Sequence, residues 1–262
     1  MEFDTLQMEV SDGVATITLN RPERRNAINS QMARDLISAV EIFHADPAAR
    51  CAVVTGAGSS FCSGGDVKDM GEMILGTKKI EGSAVRLFSE PILKFWETPK
   101  PIVASINGDA VGGGLSLALA CDLRIASRKA RFAMAFVRIG LMPDLGGSYL
   151  LPRIVGPAKA YELMATGEFF SADEARSLGV VNRVVEDGAL VPETRALAER
   201  LARGPTRALG KMKMAILSAH KPLLEAHLQG EFQGQEELSR SQDFKEGVAA
   251  FLQKREPKFK GA

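Results

Sequence analysis

The chain has 262 residues, 45% of them hydrophobic and 25% charged, with a formal net charge of +1. A nearly neutral chain has no electrostatic footprint for a nucleic acid or another polyanion, and this length fits one large domain or one domain with a small appendage. Three cysteines without a C-x-x-C pair exclude a disulfide framework and a structural zinc site, and no apolar run is long enough to span a bilayer.

The first residues, MEFDTLQMEV, lack the basic and apolar regions of a signal peptide, so the expected compartment is the cytoplasm. VATITL (14–19) alternates and is rich in β-branched residues, which predicts a strand, and NRPERRNAIN then turns into a helix from about Ser30 to His44. CAVVTG (51–56) predicts a buried strand ended by glycine, SSFCSGGDVKDM a loop leading into a helix, and GEMILGTKKIEGSA a mobile segment. PIVASING (101–108) predicts another buried strand, running into DAVGGGLSLALACD, a glycine triplet followed by the small and apolar residues of a tightly packed helix. LRIAS and ARFAMA predict two more strands and lead to IGLMPDLGGSYLLPR (139–153). A helix follows from Pro157 to Thr166. Ser171 and Glu174 then form a capping box that opens a short helix, and VVNRVV predicts a strand. From Pro192 onward the pattern is helical, with breaks at Gly204-Pro205 and near Gly230 and Gly234. Strands alternating with helices and then helices alone predict an α/β core over 1–195 and a helical region over 196–262.

Histidine is scarce. His44, His220 and His227 have no metal-ligand spacing and read as surface helix residues, which leaves no basis for a histidine triad or a zinc hydrolase. The chemistry must come from elsewhere. VTGAGSSFCSGGD begins like a dinucleotide fingerprint, but Phe61 stands where the third glycine belongs. The other reading is a turn at Ser63, Gly64 and Gly65 that presents backbone N–H groups at a helix start. Gly112, Gly113 and Gly114 are a poor helix start by propensity, so they serve close backbone approach, exposed N–H groups, or tight packing beside Ala118 and Ala120. One N–H from each turn converging on one oxygen is the geometry of an oxyanion hole. The third cluster holds a lone carboxylate, Asp144, between Pro143 and Leu145. It is either a turn or helix-cap residue or a desolvated base whose pKa is raised. Two sets of donors and one carboxylate suit proton transfer next to a carbonyl.

FCSGGDVKDM, PIVASINGDAVGGGLSLALACDLRIAS and RIGLMPDLGGSYLLPRIVG resemble the three signature blocks of the crotonase (enoyl-CoA hydratase/isomerase) superfamily, and the likeness runs along the whole chain. The resemblance implies a crotonase-type spiral of ββα units with a C-terminal helical trimerisation region, assembled as a homotrimer or a dimer of trimers. It implies an acyl-CoA thioester substrate, with coenzyme A as part of that substrate and no separate cofactor, metal, nucleic acid or membrane. The oxyanion donors it implies fall on Ser63 and Gly113. Its coenzyme A contacts fall on Arg24, Arg25 and Ala27 and on Ser63, Gly65, Asp66 and Val67, with Phe259 and Lys260 reaching the nucleotide of a neighbouring subunit. The arginines read otherwise as ordinary surface residues and Asp66 as a helix N-cap.

Hydratases of this family use two glutamates, and here those places hold Ser116 and Phe136. Water addition needs both a base and an acid, whereas isomerisation needs one carboxylate to move one proton. Asp144, eight residues beyond Phe136, has the place of the carboxylate in the isomerases, and the words GLMPDLGG and LLPR are most similar to the ring-epoxide phenylacetyl-CoA isomerases. The expected function is therefore isomerisation of an enoyl-CoA double bond or ring epoxide, with Asp144 as the catalytic residue. Met70, Ser116, Phe136, Leu141 and Tyr149 would line the acyl pocket, and Asp69 and Glu162 are the reserve bases. The rival readings are a hydratase, a non-catalytic acyl-CoA binder and a nicotinamide-linked oxidoreductase.

Overall fold

The structure is a computed structural model that describes residues 3–76 and 84–262. It opens with a hairpin that sequence reasoning missed, β1 (Leu6–Ser11) antiparallel to β2 (Val14–Leu19). The signal was present in Asp12-Gly13, whose φ values of 50° and 78° match the tight turn that suits twisted strands. Helix α1 (Ser30–Ala45) starts where the Asn29 side chain accepts the N–H of Met32, and it buries Met32, Leu36, Val40 and Phe43 along one face.

Three units then repeat one plan. β3 (Cys51–Gly56) is followed by β4 (Ser60–Cys62), α2 (Val67–Ile74) and α3 (Ala84–Glu97). β5 (Ile102–Ile106) is followed by β6 (Asp109–Val111) and α4 (Gly113–Ala120), and β7 (Leu123–Ser127) by β8 (Arg131–Ala133), α5 (Gly147–Val155) and α6 (Pro157–Thr166). In each unit the first strand joins a six-stranded sheet, ordered β1-β2-β3-β5-β7-β10, and the second joins a four-stranded sheet, ordered β4-β6-β8-β9. The chain therefore winds as a spiral of ββα turns. β9 (Phe170–Ser171), α7 (Ala172–Ser177), which the Ser171–Glu174 capping box opens, and β10 (Arg183–Val185) complete the sheets. The three-residue strands β4 and β6 are too short to show a sequence period. Residues 77–83, the second half of the segment expected to be mobile, lie outside the described residues, while the first half continues α2.

The large sheet is covered on both faces. One face meets α1, α3 and α4 through Ile17, Leu19, Val54, Ala104 and Phe43 in the main core. The other meets α8 (Leu190–Arg203), where Leu197, Ala198 and Ala202 pack on Val14, Val53, Val103 and Ile125. Strands buried on both sides read as continuous apolar runs, which is why CAVVTG and PIVASI stand out. Because α8 belongs to this packing, the division expected after residue 195 falls inside a helix of the core.

Helices α9 (Thr206–Ser218), α10 (Lys221–Leu238) and α11 (Gln242–Gln253) fold back over the spiral, α10 against α3 and α5, and α11 against α2 and the 3-10 turn Ala135–Ile139. The break expected at Gly204-Pro205 is present, but α10 runs through Gly230 and Gly234 without one. Gly234 serves contact instead: a methyl group there would stand 2.2 Å from the sulfur of Met142. Among the described residues no helix is long and apolar enough to cross a membrane, and no group of three or more His, Cys, Asp or Glu side chains is placed to hold a metal ion.

Candidate active site

The spiral brings the ends of β4 and β6 together, and with them the two glycine turns. A methyl group on Gly64 would stand 2.7 Å from the Val111 carbonyl oxygen and 3.2 Å from the Gly113 nitrogen, and one on Gly114 would stand 2.2 Å from the Cys62 carbonyl oxygen. No side chain fits where backbone meets backbone so closely. Gly112 also has φ 52° and ψ −123°, a conformation open to glycine alone. The triplet thus serves close approach, at the expense of helix propensity. Gly113 is the first residue of α4, so its N–H has no acceptor within the helix, and among the described residues it has none elsewhere.

On the first turn the donor differs from the expected one. The N–H of Ser63 donates to the Arg25 carbonyl at 3.0 Å, and its hydroxyl donates to the Arg24 carbonyl at 3.4 Å. Ser63 is therefore corrected as an oxyanion donor. Two residues on, Gly65 forms a parallel bridge with Ile28, in which Ile28 donates to the Gly64 carbonyl and Asp66 donates to the Ile28 carbonyl. In such a bridge the central residue's own N–H points the opposite way. The N–H of Gly65 is thus turned away from Ile28 and has no acceptor among the described residues.

Asp144 stands beside the second turn. A methyl group on Gly113 would lie 3.8 Å from Asp144 Oδ1 and 3.5 Å from the Leu145 side chain. The cap reading of Asp144 does not hold, because α5 is capped by Gly146 and the carboxyl group accepts no backbone N–H. Among the described residues its hydrogen bond comes from Gln235 on α10, whose Nε2 donates to Oδ2 at 2.9 Å. Burial pushes the Asp144 carboxyl up to about 7, the negative charge of Glu231 pushes it the same way, and the Gln235 hydrogen bond opposes both. The next residue, Leu145, is held at φ 52° and Gly146 follows at 76°. A left-handed leucine costs about 1 kcal/mol, so the surrounding packing must hold this bend.

The remaining expected site residues divide. Phe136 lies with its ring 3.7 Å from where a methyl group on Gly112 would be, the end of the Met70 side chain covers Gly65, and the buried Ser116 hydroxyl faces Gly147 and the Gly112 carbonyl. Leu141 is half-buried against the main core. Tyr149 is buried, its hydroxyl donates to the His220 carbonyl at 3.4 Å and its ring packs near Trp96 and His227, on the side of α3 and α10. Glu162 is exposed and paired with Lys159 on the surface of α6, so it drops out as a reserve base. Asp69 lies in the first turn of α2 and is half-buried.

Of the expected coenzyme A contacts, Arg24 is half-buried and one of its guanidinium nitrogens is buried without a partner among the described residues. Arg25 is exposed and lines a polar depression with Ser59, Asp109, Lys129 and Arg131. Ala27 is buried, and its carbonyl accepts Arg21 Nη1 at 2.5 Å. Val67 opens α2 behind Asp66, whose side chain is the N-cap of that helix and pairs with Arg21 at 2.9 Å. The Asp66 carboxylate is spent within the fold, as the cap reading expects. Phe259 is exposed, and the backbone N–H of Lys260 donates to Asp243 Oδ1 at 2.7 Å, which holds this strand of chain along α11.

Sequence reasoning missed three residues. Asn26, fully buried at φ 56°, donates to the carbonyls of Ala57, Ser60 and Phe61 and thereby fixes the approach to the first turn. Glu231 and Gln235 lie on α10 in register with buried Leu224 and Leu228. The signal was a pair of polar side chains at core-periodic positions, which breaks the usual pattern of an amphipathic helix.

An enoyl-CoA hydratase/isomerase family model matches residues 9–262. The chain is 42% identical to a 1,2-epoxyphenylacetyl-CoA isomerase of Escherichia coli K12, covering 100% of this chain and 99% of the relative. It is also 42% identical to a probable enoyl-CoA hydratase of Rhodobacter capsulatus, with 100% of each covered. Among solved structures it is similar to an enoyl-CoA hydratase from Mycobacterium avium subsp. paratuberculosis, with a TM-score of 0.90 at 34% identity over 99% of this chain and 100% of that one.

Proposed function

The chain belongs to the enoyl-CoA hydratase/isomerase family, and from that premise we propose that it is an isomerase in which Asp144 alone moves the proton. The observation that carries this reading is a single carboxyl group, pushed up to about 7, beside the Gly113 donor, with Ser116 and Phe136 where the two glutamates of a hydratase would stand. The thioester oxygen lies between the N–H groups of Gly65 and Gly113. Asp144 Oδ1 takes a proton from one carbon, the C–H electron pair moves into the conjugated system, and negative charge collects on the thioester oxygen, where the two donors meet it. The same carboxyl group then returns the proton two carbons along. No water is added and no redox partner is needed.

Coenzyme A enters as part of the substrate, with the half-buried Arg24 and the exposed Arg25 as the cations that would hold its phosphates. No further cofactor is required by this chemistry. The likeness to the epoxyphenylacetyl-CoA isomerase supports a ring-bearing acyl group, with the epoxide or double bond next to the thioester arm. The assembly we propose is a homotrimer or a dimer of trimers in the cytoplasm, supported by the exposed Met212, Ile216, Phe251 and Leu252 on the C-terminal helices.

Hydration is the second reading, favoured by the name of the Rhodobacter relative. It needs a second working carboxylate, and the nearest one, Glu231, already accepts from Gly146 N, Ser148 N and the Ser148 hydroxyl. The test is the mass of the product formed from a 3-enoyl-CoA in heavy water. Double-bond migration without added water is expected. Addition of water would overturn the isomerase reading, and coenzyme A binding without turnover of any enoyl-CoA would favour a non-catalytic binder.

A further inference from the structure

Residues 142–148 are stitched to α10 by two buried side chains. Gln235 is 4% exposed, and its Nε2 donates both to the Met142 carbonyl at 3.0 Å and to Asp144 Oδ2 at 2.9 Å. One helical turn earlier, Glu231 is 2% exposed and accepts from Gly146 N at 2.8 Å, Ser148 N at 2.9 Å and Ser148 Oγ at 2.5 Å. It therefore fills the nest of N–H groups that the left-handed Leu145 and Gly146 create at the start of α5. Gly234 lets Met142 press against the helix between these two residues.

We propose that Glu231 and Gln235 are positioning residues for Asp144: Gln235 holds Oδ2 so that Oδ1 is the oxygen presented beside Gly113, while Glu231 fixes the loop and sets a negative charge behind the carboxyl group. The inference rests on the reading of Asp144 as the proton carrier. A purely structural role for Gln235 accounts poorly for one feature. Its own oxygen, Oε1, is buried without a donor among the described residues, a defect that costs about 1–3 kcal/mol and that a methionine of similar shape would avoid. The donor half of the amide is thus retained despite the cost of its acceptor half.

The surroundings single out Glu231 as the charge that matters. Arg138 on the 3-10 turn lies over the Phe169 ring, Arg153 on α5 pairs with His220, Asp243 on α11 accepts the N–H groups of Lys260 and Gly261, and α4 carries no charged side chain. The other carboxylates on neighbouring elements are Asp69 and Glu72 on α2, Glu90 and Glu97 on α3, Glu225, Glu236 and Glu237 on α10 and Glu246 on α11. Glu97 pairs with Lys221, Glu236 with Arg240 and Glu246 with Arg255, and Glu231 is the one whose charge acts on Asp144. The two α10 residues act on Asp144 in opposite senses: a negative neighbour favours the protonated carboxyl group, and a donated hydrogen bond favours the ionised one.

The experiment is a carbon-13 NMR titration of the full-length protein labelled at aspartate carboxyl carbons, with the Asp144 resonance assigned by its loss in Asp144→Asn. Gln235→Met is expected to raise its midpoint by about one pH unit and Glu231→Gln to lower it by about one. Midpoints that stay in place in both variants, or that move in the same direction, would overturn the proposal. If Glu231→Gln does not fold, Gln235→Met carries the test alone, because it removes an unpaired buried oxygen and keeps the volume. Turnover by Asp144→Asn decides the separate question of whether Asp144 is the proton carrier.

Discussion

The donor half of the site and its carboxyl half are held in place by different means. The donors are backbone N–H groups at Gly65 and Gly113, fixed because Gly64 and Gly114 let two turns meet backbone to backbone. Such a structure has no side chain to titrate, and it changes only when the chain path changes. The carboxyl half is a strained bend at Leu145 carrying one titratable group, and its partners Glu231 and Gln235 lie 85 and 91 residues away along the chain from the groups they hold. Backbone geometry suits a task that is the same for every thioester. A side chain in a tuned environment suits the step that must gain and lose a proton.

If the halves are distinct in this way, they should fail differently. The largest effect is expected from Asp144→Asn, which leaves the donors in place but removes the proton carrier: turnover should fall by at least about a thousandfold while coenzyme A affinity stays near wild type, measured by steady-state kinetics and calorimetry. Gly113→Pro removes the second N–H at a first helical position that tolerates proline. It should lower kcat by about a hundredfold and leave the titration of Asp144 in place.

A smaller effect concerns stability. The native Asp144 carboxyl group holds its proton up to about 7 and the ordinary value is 3.8, so the native state binds more protons than the unfolded one between those values. Its contribution to stability is present below the ordinary value and is lost as pH rises through about 7. Thermal melts should therefore show Asp144→Asn to be more stable than wild type at pH 8, with the difference shrinking toward pH 4. The smallest effect is expected at Ser63→Ala, where kcat should stay within about twofold, because the hydroxyl and the N–H of Ser63 both serve the preceding loop. A hundredfold loss there would give the Ser63 hydroxyl a part in the reaction.

The same contrast explains what could be read in advance. The glycine turns, the buried strands CAVVTG and PIVASI and the lone carboxylate Asp144 all announce themselves within a few residues, because close approach, burial on both faces and a charge among apolar neighbours are local properties. Errors of one or two residues arose where orientation decides: Ser63 and Gly65 lie on one turn, and only the bridge to Ile28 shows which N–H is turned outward. Glu231 and Gln235 show in the sequence only as polar residues at core-periodic positions, and nothing near them in the chain tells that residues 142–148 lie opposite. The glycines of α10 were read as breaks, since their use as a seat for Met142 is visible only in three dimensions.

The most direct measurement is the pH dependence of kcat/KM for isomerisation, which reports the ionisation of the free enzyme's essential base. Activity is expected to rise with pH along a single limb with its midpoint near about 7, where burial holds the Asp144 carboxyl group. A profile that is flat from about pH 5 to pH 9, or a limb near the ordinary carboxylate range, would contradict it.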